Sequence, residues 1–82
     1  MSTRTDPASQ RLFRFGGGRH VLLARDGRAV TFRLAPDGTV RVGERLEGVD
    51  FRASGDQLVR DGWRCVGPGL EYAELLGETA DG

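Results

Sequence analysis

Few side chains in this chain could do covalent or acid–base chemistry, and their number limits what they could do. His20 is the single histidine and Cys65 the single cysteine. Any nucleophile–base pair, Ser–His or Cys65–His20, would therefore run through His20. Acid–base catalysis also needs a pocket that shifts a pKa. The closely spaced carboxylates, Glu44 with Glu47 and Glu71 with Glu74, fall in a polar connection and near an acidic C-terminus, where a solvated face is their ordinary meaning. One cysteine excludes an internal disulfide, and one histidine beside it does not complete a closed zinc site within one chain. Gly16-Gly17-Gly18, ahead of Arg19 and His20, has the glycine content of an anion cradle. It lacks the Lys-Ser/Thr of a phosphate loop and leads into a strand pattern. The expectation is a non-enzymatic chain without metal or cofactor.

Binding chemistry has better material. All twelve basic side chains are arginine, and they balance twelve acids to a formal net charge of zero, so nothing global calls for a polyanionic partner. Lysine, asparagine and isoleucine, whose codons are AT-rich, are absent. A GC-rich genome, that of a bacterium or its virus, accounts for this. The charge is unevenly distributed: residues 1–33 hold seven arginines and two acids, residues 34–82 five arginines and ten acids. Two local constellations stand out. His20, Arg33 and Arg41 are expected in one row across three adjacent strands on an outward sheet face, open to a phosphate or carboxylate partner. Trp63, expected opposite Arg60 in a hairpin, would form a cation–π anchor of the kind enriched at binding hot spots.

The elements that must position these residues are strands. Asp26-Gly27 is a two-residue hairpin signal, since a type I′ turn needs φ > 0 at both central positions. It sets Arg25 opposite Arg28, Leu23 opposite Val30 and Val21 opposite Phe32, with Leu22 and His20 on the outer face. Ala35-Pro36-Asp37-Gly38-Thr39 is a second turn, with Pro36 at its first corner and Gly38 in the left-handed position. That loop sets Leu34 opposite Val40, Arg33 opposite Arg41 and Phe32 opposite Val42. Arg11–Phe15 reads as a short strand before the glycine run. Val49–Ala53 alternates as a strand, Gly55-Asp56 reads as a turn into Gln57–Arg60, and Asp61-Gly62 as a hairpin into Trp63–Val66, with Cys65 inward. Residues 70–76 suit either a short helix stopped by Gly77 or a last strand.

At 82 residues the chain makes one domain near the size where a single core becomes marginal. The expected organisation is a disordered arm over residues 1–10, a β domain over 11–77 and an acidic frayed tail over 78–82. The expected fold is all-β, with six or seven short strands: an SH3-like or Sm-like barrel, since closure removes edge strands, or an open curled meander. No apolar run has the length of a signal or membrane-spanning segment, so the expected setting is cytoplasmic and away from membranes. The functional expectation is a small binding module for a macromolecule. A protein partner comes first, in the manner of the compact inhibitors and adaptors of phages and mobile elements, and RNA or single-stranded DNA on the arginine face second.

Overall fold

The computed structural model describes residues 9–76. The expected arm lies outside them apart from Ser9 and Gln10, as do Gly77 and the acidic tail. Five strands, β1 (Gln10–Phe15), β2 (Arg19–Ala24), β3 (Ala29–Leu34), β4 (Val40–Leu46) and β5 (Arg64–Gly67), form one antiparallel sheet in the order β4-β3-β2-β1-β5. A helix, α1 (Phe51–Arg60), and two 3₁₀ segments, Gly16–Gly18 and Leu70–Leu76, complete the described chain. The sheet is open, with β4 and β5 as its edges. It is neither the expected closed barrel nor a sheet of six or seven strands.

The difference arises between residues 49 and 62, where two predicted strands are one helix. Asp50 is its N-cap, accepting the Ala53 N–H at 2.9 Å. Its end is a Schellman motif: Trp63 N–H donates to the Leu58 carbonyl at 2.9 Å and Gly62 N–H to the Val59 carbonyl at 3.1 Å, with Gly62 at φ 101°. Asp61-Gly62 is thus a helix stop, not a hairpin turn. Gly55, read as a turn residue, sits mid-helix against Phe13, where an added Cβ would lie 3.4 Å from the ring. Residues 70–76, left open between helix and strand, are 3₁₀-helical.

The β3–β4 hairpin has the expected register, with Leu34 opposite Val40, Arg33 opposite Arg41 and Phe32 opposite Val42. Hydrogen bonds from the backbone N–H and hydroxyl of Thr39 hold the exposed Asp37 carboxyl in this turn below its ordinary pKa. The β2–β3 hairpin differs from expectation by one residue. Its loop contains Arg25, Asp26 and Gly27: Ala24 N–H donates to the Arg28 carbonyl at 2.8 Å and Gly27, at φ 98°, donates to the Ala24 carbonyl at 3.0 Å. Asp26 braces the loop by accepting the Arg28 backbone N–H at 3.0 Å and pairing with its guanidinium at 2.9 Å. Leu22 therefore faces Val30, and His20 faces Phe32.

Because paired residues share a face, this slip turns β2 over. Leu22, expected outward, is fully buried with Leu12, Ala24, Val30, Phe32 and Leu76 on one face, covered by the 3₁₀ segment Leu70–Leu76. Val21 and Leu23 join Phe13 and Ala29 on the other face, under Phe51 and Leu58 of α1. Both faces of β2 are covered, so the register shift exposes no apolar side chain. The sheet also starts inside the expected arm. Gln10 is buried, and its Nε2 donates to the carbonyls of Pro68 and Gly69 at 2.6 and 2.8 Å, tying β1 to the C-terminal segment.

Candidate binding face

The register places four residues in one row across four strands on the α1 side: Phe15 opposite Arg19, Arg19 opposite Arg33, and Arg33 opposite Arg41. All four are exposed. Like charges directly opposite each other destabilise a sheet, and no carboxylate among the described residues lies within 4.0 Å of these three guanidinium groups; the ion pair seen, Arg28 with Asp26, is elsewhere. The arginines line a shallow groove of about 330 Å³ whose lining contains no acid. Gly43 keeps the floor low, since a Cβ there would come within 2.7 Å of the Thr31 hydroxyl. That hydroxyl accepts the Glu44 N–H at 2.9 Å, where β4 bulges against β3.

Arg33 and Arg41 stand where the sequence places them, and His20 does not. The β2 slip carries His20 to the covered face, where it is 7% exposed. Its ring stacks on Phe32 at 5.0 Å and 10°, and Tyr72 closes the cluster at 4.9 Å from Phe32. Nδ1 lies 2.8 Å from the Gly18 carbonyl, which can only accept, so this nitrogen carries the proton. Gly18 itself, at φ 79°, packs its Cα against the Leu34 carbonyl so closely that no side chain fits. The glycine run is thus a fixed turn that seats His20. Arg19 takes the place expected for His20, and the adjacent arginine was the signal for it.

Trp63 also has a different partner from the expected one. Arg60 is exposed in the last turn of α1, where its charge complements the helix C-terminus. Trp63 follows the Schellman turn, packs against the Phe13 cluster and stacks on Phe15 at 5.0 Å and 27°. Since Phe15 heads the arginine row and Trp63 lines the groove, the tryptophan belongs to the same site as Arg33 and Arg41. The cation–π contacts lie at Phe51, with Arg25 at 5.0 Å and Arg11 at 5.7 Å. They line a second groove of about 530 Å³ that also holds Arg52, Asp56 and Cys65. Sequence reasoning missed this pair because Phe51 was placed in a strand.

Cys65, expected inward, is exposed opposite Phe13 on the α1 side, while His20 is buried on the other face. The two do not meet. Among the described residues no cluster of His, Cys, Asp and Glu could hold a metal ion, and no helix is long and apolar enough to cross a membrane. Comparison of the chain with family models, with curated proteins and with solved structures finds no significant match.

Proposed function

We propose that this chain is a non-enzymatic binding module that recognises a macromolecule bearing a line of negative charge, through the open half of its α1-side sheet face. One observation carries the reading: Arg19, Arg33 and Arg41 are aligned and exposed over a groove without a carboxylate. A sheet accepts that repulsion at a cost in stability, which an anionic partner would offset. A protein partner, the first expectation from sequence, would meet this face through an acidic segment, with the chain acting as an inhibitor or adaptor in the cytoplasm. The apolar part of that expectation is weaker, because Leu22 is buried and Trp63 is half-buried against Phe15.

The test is retention on a polyanionic matrix. A chain of zero formal net charge has no bulk reason to bind one, so retention reports a patch. The native chain should be retained at low salt, and the double variant Arg33→Glu, Arg41→Glu should elute without delay while keeping its circular dichroism spectrum. Equal elution of native and variant chains would remove the reading.

A further inference from the structure

We infer that the occupant of this face is a single-stranded nucleic acid, a deepening that rests on the binding-face reading above. An acidic peptide and a nucleic acid would use the arginines alike. The aromatic pair separates them. Phe15 is in register with Arg19, so the row runs without a break from a ring to three guanidiniums, and Trp63 stacks on that ring and lines the same groove. Poly-acidic chains have no aromatic ring to lay on such a platform, whereas every base has a π-face, and stacking is tolerant of sequence. Neighbouring strands lie about 4.8 Å apart. The three arginines are thus spread over roughly 10 Å of sheet, with side chains long enough to follow successive phosphates while a base rests on the aromatic end. A duplex keeps its bases stacked inside, so it would engage the arginines and leave the aromatic pair idle. Open sheets with surface aromatics bind unpaired bases in this way.

Trp63 is the only tryptophan, so its fluorescence reports the site directly. The experiment titrates the full chain with oligothymidylate and oligouridylate of about ten nucleotides, with a duplex of equal length, and with polyglutamate. Anisotropy of the labelled polyanion and Trp63 emission are followed from low to physiological salt. The expected result is single-strand binding that quenches Trp63, weaker duplex binding without quenching, and a log–log salt slope of about −2 for three phosphate contacts. Arg33→Ala should flatten that slope by roughly 0.7. Phe15→Leu, a change at an exposed position, should weaken single-strand binding roughly tenfold with the slope unchanged.

Polyglutamate binding without single-strand binding would overturn the nucleic-acid inference and leave the binding face standing. Equal duplex and single-strand affinity with Trp63 unquenched would overturn it as well, reducing the site to a phosphate contact. Failure of every polyanion to bind would overturn both proposals.

Discussion

The sheet has one finished face and one unfinished face. Under the 3₁₀ segment, His20, Phe32 and Tyr72 form a stacked cluster over Leu12, Leu22 and Val30, and the imidazole has its hydrogen bond to Gly18. Under α1, Phe13, Val21 and Leu23 are equally well buried, but only at the β1–β2 end. Simple dimensions explain the asymmetry. A helix of ten residues is about 15 Å long, whereas five strands span about 19 Å between their outer members. Because α1 packs against β2 and β5, the β3–β4 end of that face has no cover among the described residues. Around the groove it carries Thr31, Arg33, Arg41 and Gly43, with the exposed Leu46 further along β4 opposite Ala29. Stability is placed where a cover exists, and charge where none does.

If both faces are true cores, truncation on either should cost alike. Phe32→Ala and Phe13→Ala should each lose about 3–5 kcal/mol, read as a drop in the denaturation midpoint with an unchanged slope. A small loss for Phe13→Ala alone would mean that α1 rests loosely on its face and that the sheet has a single core.

The helix is the element that made the second face, and its sequence signals were ambiguous. Asp-Gly serves equally well as a hairpin turn and as the end of a helix. A type I′ turn needs φ > 0 at both central positions and a helix stop needs it at C′, and glycine suits either. Val49, Phe51 and Ala53 alternate, but Phe51 and Leu58, seven apart, also lie on one face of a helix. Two consequences discriminate the observed helix from the expected strand pair. Asp50→Ala should cost about 1 kcal/mol through loss of the cap, whereas an outward-facing residue within a strand over Val49–Ala53 would be close to neutral. Gly55→Ala should stabilise by about 0.5–1 kcal/mol, because helix propensity favours alanine and its Cβ would meet Phe13 and Leu23 at ordinary contact distances of 3.4 and 3.8 Å. Thermal denaturation of both variants reads the pair, and a destabilised Gly55→Ala would show that α1 sits closer to Phe13 than these distances.

The arginine row was legible in part, for a reason that lies in the two hairpins. The β3–β4 turn carries Pro36 and Gly38 at positions that admit one loop length, so Arg33 and Arg41 could be paired from sequence. The β2–β3 turn carries Asp26-Gly27 alone, and this fits a two-residue loop or the observed three-residue one. Hydrophobic pattern normally settles such a choice, but His20, Val21, Leu22, Leu23 and Ala24 are all buried, so β2 gives the same burial in either register. His20 and Arg19 exchanged roles on that one residue. The Phe15–Trp63 stack depended on the helix as well, since Trp63 reaches Phe15 only from the end of α1.

The smallest expected effect bears most directly on the contrast between the faces. Arg33 lies between Arg19 and Arg41, so Arg33→Glu replaces two opposed like-charge pairs with two opposite-charge pairs. Each cross-strand pair is worth roughly 0.2–1 kcal/mol. The variant should unfold at slightly higher denaturant than the native chain, with a gain that shrinks as salt rises, and it should lose retention on the polyanion. Arg60→Glu, on the same side of the molecule but at the helix C-terminus, supplies the control. It should cost a few tenths of a kcal/mol through the helix dipole and leave retention unchanged. A chain stabilised by the very change that removes its binding is what a surface kept for a partner would show. If Arg33→Glu instead lowers stability, the guanidinium contributes to the fold, and the unfinished face is held together by its arginines.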